Sequence, residues 1–143
     1  MEKNRNNNFL SREREIKEPL AKLHESYALL YEFSNIVDFD EKRDLDYFSD
    51  LYLEIRPIVN SIVIYVVNNK LAGIKKNIDE FIFTSQKIVG NLKALHIRAK
   101  LIKGQSIDGE KSDWYGYSPK ESGEIIHDLR FHLEGLKNYF VNY

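Results

Sequence analysis

Large apolar residues recur along this chain at alternating steps of three and four, and the longest such run organises the rest. It comprises Leu71, Ile74, Ile78, Phe81, Ser85, Ile88, Leu92, Leu95, Ala99 and Ile102. Eight of these ten are large and apolar, the other two are small, and no proline interrupts them. Such steps keep a stripe on one face of an α-helix, and a strict 3.5-residue repeat is the pattern of coiled-coil-like packing. The spacing predicts a helix over about 71–102, roughly 48 Å long. A helix cannot bury such a stripe alone, so other helices must lie along it.

Three more runs supply them. Ile16, Leu20, Leu23, Tyr27, Leu30, Ser34 and Val37 step by four and three, with Leu29, Phe33 and Ile36 beside them. Pro19 deletes a backbone donor near the start of this run, which predicts a kinked or broken beginning. Asp38, followed three residues on by Glu41, resembles a capping box and opens a second helix from about Glu41 to Asn68. Its stripe is Phe48, Leu51, Ile55, Ile58, Ile62 and Tyr65, and Pro57 predicts a kink near Leu53–Pro57. The stretch Ile62–Val67 is apolar all round and rich in β-branched residues, so a strand is the competing reading. Its only candidate partner, Phe81–Thr84, lies inside the strongest helical pattern. Ile62–Val67 therefore reads as the most buried turns of a helix. Asn68-Asn69 marks the next turn. Ser118-Pro119-Lys120-Glu121 reads as the start of a fourth helix, whose stripe is Ile126, Leu129, Leu133, Leu136, Phe140 and Tyr143.

The expected fold is all-α, a four-helix bundle running up-down-up-down with a long third helix. Residues 1–10 are polar and Asn-rich and read as a disordered tail. Residues 11–143 read as a single helical domain.

Composition narrows the class. With 143 residues, 43% of them hydrophobic and 30% charged, the chain can bury one core. It has no cysteine, which excludes a disulfide scaffold, thiolate metal sites and a cysteine nucleophile, and suits a reducing compartment. The start is polar, without the apolar core of a signal peptide. The most apolar run, Ile58–Val67, is ten residues long and contains Asn60 and Ser61. About twenty apolar residues are needed to cross a bilayer. The expectation is a cytoplasmic protein with no membrane partner.

Net charge is −1, but it is unevenly spread. Residues 38–69 carry three basic and seven acidic groups, residues 70–103 eight and two, and residues 104–143 four and seven. A basic third helix between acidic neighbours can pair its charges across the bundle surface, or it can offer them to phosphates.

No catalytic constellation stands out. Glu124-Ile125-Ile126-His127 is a lone Glu-x-x-His unit, where two-metal bundle sites use two. His96 and His132 flank core stripes and read as satisfied core-edge residues. There is no Gly-rich phosphate loop and no Gly-x-Ser-x-Gly turn. The sequence therefore points to no cofactor, no metal and no enzymatic chemistry.

Interaction surfaces are better candidates. Phe83, Gly90 and Ile97 are seven apart, opposite the main stripe of the third helix. Lys75, Lys93 and Lys100 line one side of that seam, and Lys76, Lys87 and Arg98 the other, with Lys103 beyond. On the fourth helix Phe131 and Gly135 lie off the stripe. Trp114, Tyr115 and Tyr117 crowd the loop over 104–117, which either contacts a ligand or pins itself to the bundle. At the C-terminus Leu133-Glu134-Gly135-Leu136, followed by Tyr139, Phe140 and Tyr143, resembles the last helix of small helical subunits of type III CRISPR effector complexes, over eleven residues. That resemblance implies duplex binding through basic helices and side-by-side packing, but the long third helix and the Trp loop depart from the family. The leading expectation is a non-enzymatic interaction protein, a homo-oligomer or a small subunit of a larger assembly. It would bind through Phe83, Ile97, Phe131, Trp114, Tyr115 and Tyr117. The alternative is a nucleic-acid-binding accessory subunit using Lys75, Lys76, Lys87, Lys93, Arg98, Lys100 and Lys103.

Overall fold

A computed structural model describes residues 14–71, 76–110 and 121–141. Four α-helices follow one another: α1 (Arg14–Phe33), α2 (Glu41–Asn68), α3 (Lys76–Ile102) and α4 (Ser122–Val141). A short 3₁₀ turn, Asp108–Glu110, lies between α3 and α4. The expected all-α bundle is the architecture found. The expectations for residues 1–10, for the Ser118-Pro119 helix start and for Trp114, Tyr115 and Tyr117 lie outside the described residues.

Cross-helix pairs set the directions. Ser26 meets Glu54, and Phe33 stacks on Tyr47, so α1 and α2 run antiparallel. Asp46 meets Lys103 and Ser49 meets His96, so α2 and α3 do too. The most extensive packing is α2 on α3, then α3 on α4, then α1 on α2, and α1 on α4 is the thinnest of these four seams. The core is assembled from the stripes. Ile16, Leu20, Leu23, Tyr27 and Leu30 of α1, Phe48, Tyr52, Ile55 and Ile62 of α2, Ile78, Phe81, Ile88, Leu92 and Leu95 of α3, and Leu129, Leu133 and Leu136 of α4 form one buried cluster. One of the two small members of the third stripe has a use. Ser85 gives room to the fully buried Tyr27 hydroxyl arriving from α1. Burial pushes that phenol well above its ordinary pKa.

Some local expectations change. Both prolines lie within continuous helices, Pro19 in α1 and Pro57 in α2. Pro57 is exposed, so the carbonyl freed by its missing N–H can be met by water. The cap of α2 is Asp40, not Asp38: its carboxylate accepts from the backbone N–H of Lys42 and Arg43. Asp44 reaches back to accept the Asp40 N–H at 2.9 Å, and Arg43 grips the Asp44 carboxylate through Nε and Nη2. That grip holds the buried Asp44 carboxyl below its usual pKa, against the opposing effect of burial.

The turn after α2 is made by Lys70 rather than by an asparagine. Lys70 has φ of 56°, with Lys70 N–H bonded to the Val67 carbonyl and Leu71 N–H to that of Val66. This is a Schellman ending with a lysine where glycine is usual. Gly104 closes α3 in the same way, at φ 71°. The third helix starts at Lys76, so Leu71 lies before it, half-buried against the core.

Candidate interaction surface

Ile62–Val67 shows where the bundle stops. Ile62 and Val66 are buried, whereas Ile64 is 58% and Val67 61% exposed. The run is helical, as expected, but it is apolar on two faces, and among the described residues only one of them is buried. On α3, Phe83 is 60% exposed. It forms the shared wall of two clefts between α2 and α3. One, of about 300 Å³, is lined by Val59, Asn60, Gln86, Val89 and Gly90; the other, of about 220 Å³, by Val63, Val67, Asp79 and Ile82. Lys87 lies over the Phe83 ring at 4.6 Å, a cation–π contact that holds its ammonium at the cleft edge.

Further along the same helix the surroundings reverse. Every residue from Leu92 to Ile97 is buried. Ile97 is only 6% exposed, so it is not the open docking residue expected from its place opposite the stripe. The middle helix of a bundle packs on two sides, α2 and α4 here, and that closes the seam at this level. Lys93 is 5% exposed, which removes it from any phosphate-facing row. His96 is likewise buried, its ring stacked on Tyr52 at 4.8 Å and its Nδ1 2.6 Å from the Ser49 hydroxyl. Ser49 sits within α2, whose backbone N–H groups serve the helix rather than a developing oxyanion. The pair ties α2 to α3.

The basic residues are dealt out to different partners. Lys103 pairs with Asp46 of α2. Arg98 donates to the Ser122 hydroxyl at 3.0 Å, and Ser122 donates to Glu41 at 3.3 Å, which pins the start of α4 to both α3 and α2. Lys87 stays on the outer edge, Lys100 is half-exposed, Lys75 lies outside the described residues, and so does the Lys76 side chain. Charge pairing between a basic α3 and an acidic α2 is thus realised at Lys103–Asp46.

On α4, Phe131 is 70% exposed, its ring edge-on to His132. A Cβ added to the exposed Gly135 would meet nothing within 4 Å, so that face is open. Between α1 and α4 lies a further cleft of about 320 Å³ lined by His24, Tyr27, Tyr31, Leu133 and Leu136. Tyr31 bridges it by donating to Glu134 at 3.0 Å, with the Arg130 guanidinium 5.4 Å from its ring.

Sequence reasoning missed Ile64 and Val67 as surface residues. The signal was present: Leu53, Pro57, Asn60, Ile64 and Val67 step by four and three, and all five are exposed. Among the described residues no group of three or more His, Asp or Glu could hold a metal ion, and no helix is long and apolar enough to cross a membrane. No family model matches the chain, and no curated protein or solved structure matches it either.

Proposed function

We propose that this chain is a non-enzymatic interaction protein, a homo-oligomer or a small subunit of a larger assembly, that docks through apolar helix faces. The observation that carries this reading is the pair Phe131 and Phe83, 70% and 60% exposed on helices whose stripes are buried at Ile78, Phe81, Ile88, Leu92 and Leu95 and at Ile126, Leu129, Leu133 and Leu136. Leaving a phenylalanine in water forfeits about 1.5–3 kcal/mol of burial. Isolated exposed apolar residues are ordinary, but Phe83 is the shared wall of two clefts and the exposed Val67 lines one of them, which is the form a docking surface takes. The absence of cysteine suits a cytoplasmic setting.

The nucleic-acid alternative rests on the basic excess of residues 70–103. Burial of Lys93 and the engagement of Lys103 and Arg98 weaken it. One experiment separates the two: mass by light scattering, with and without a generic RNA, at low and high salt. An apolar assembly keeps its mass as salt rises, and Phe83→Asp or Phe131→Asp reduces it. The reading fails if the protein is monomeric throughout and neither substitution has any effect. A salt-sensitive mass shift with RNA, lost in Lys100→Glu with Lys103→Glu, would hand the surface to nucleic acid.

A further inference from the structure

Phe83 is flanked by charge of opposite sign. One turn towards the N-terminus of α3 stand Asp79 and Glu80; one turn towards the C-terminus stands Lys87. All three are exposed, as is Gln86. Asp79 lines one cleft beside Phe83 and Lys87 lines the other. A surface with this arrangement is complementary to its own image. If two copies of α3 meet antiparallel about a two-fold axis near Phe83, each residue before Phe83 faces the residue equally far after it in the other copy. Asp79 then faces Lys87, and Glu80 faces Gln86, each twice over.

Resting on the interaction-protein reading above, we propose that the occupant of the α2–α3 face is a second copy of this chain, docked isologously about Phe83. The two Phe83 rings meet at the axis and cover one another, each taking the other out of water. Ile64 and Val67 of α2 flank the contact and are covered by it. The paired Asp79 and Lys87 charges at its ends set the register and the antiparallel sense, because a parallel pairing would bring like charges together. A nucleic acid suits this face poorly, since the acidic pair Asp79 and Glu80 stands at one end of it.

The test is sedimentation of the full chain by analytical ultracentrifugation over a wide concentration range, with helical content monitored by circular dichroism. Wild type is expected to move from 16.9 kDa to twice that mass. Asp79→Lys and Lys87→Asp, each alone, place like charges opposite one another twice and weaken dimerisation by about tenfold or more. An equimolar mixture of these two variants restores the dimer, and so does the double variant, because both pairs are then of opposite sign. Should Asp79→Lys loosen the first turn of α3, Lys87→Asp, at an exposed mid-helix position, still carries the loss. A wild type that stays at monomer mass into the high micromolar range overturns the proposal. So does a dimer indifferent to Phe83→Asp and to both charge reversals. If that dimer is instead lost on Phe131→Asp, this geometry fails while the interaction-protein reading stands.

Discussion

Phe83 and Ile97 lie fourteen residues apart on one helix, at the same place in a seven-residue repeat, yet the first is open and the second closed. Their own positions do not account for the difference. It comes from what lies alongside. Around Ile97 the helix is buried from Leu92 to Ile97, and Arg98, through Ser122, draws in the start of α4. Around Phe83 the outer face of α2 turns Ile64 and Val67 outward instead of covering the ring. A helical repeat therefore states which residues share a face, and the neighbouring helices decide whether that face is inside.

The sharpest way to break this contrast is to truncate both ends of it. Ile97→Ala, like Leu92→Ala at the centre of the buried stripe, is expected to cost about 2–5 kcal/mol by urea denaturation, because each leaves a cavity. Phe83→Ala, measured on the monomer at low concentration, is expected to stay within about 0.5 kcal/mol of wild type. Equal costs at the two positions would mean that the seam is uniform.

A smaller effect comes from the cap of α2. Asp40→Ala should cost about 1 kcal/mol. Its neighbour Asp44 adds a pH dependence. Its carboxyl titrates below its ordinary value in the folded chain, so its contribution is complete above that ordinary value and is lost as pH falls through the lower folded one. Acid unfolding of Asp44→Asn should accordingly be shallower than that of wild type over the acid range. Parallel curves would remove the Arg43–Asp44 grip from the account.

The smallest expected change is a gain. Lys70 holds a left-handed conformation that disfavours side chains, so Lys70→Gly should raise stability by about 0.5–1 kcal/mol, read as a higher urea midpoint. A loss would show that the lysine side chain contributes more than its backbone costs.

Much of the bundle was legible because burial follows period. Ile78, Phe81, Ile88, Leu92 and Leu95 were readable as one face and are one face. The caps were less so. Asp38 and Asp40 both precede Glu41 closely, and what distinguishes them is the Asp40 carboxylate's bonds to the Lys42 and Arg43 N–H groups, with Asp44 reaching back to the Asp40 N–H. Lys70 carried no sign at all, since a left-handed lysine goes against local preference and is imposed by the Leu71 anchor. The candidate surface was half legible. Phe83 and Phe131 were visible as apolar residues off the stripe. Ile97 looked the same, because exposure depends on neighbours that one helix's spacing does not encode. Ile64 and Val67 were hidden by the reverse error, in which an all-apolar run was taken for depth.

The thin seam between α1 and α4 has its own consequence. α1 is held along its length by α2, but to α4 it is joined chiefly across a cleft that Tyr31 and Glu134 bridge. The bundle is therefore a closed ring with one weak joint, and the smallest cooperative unit that can come away intact is α1. Amide protons of α1 should exchange with solvent through that partial opening, while those of α2 and α3 wait for the whole molecule to unfold. When α1 lifts, Tyr27 leaves Ser85, and a buried slot appears in α3 that the closed molecule never presents.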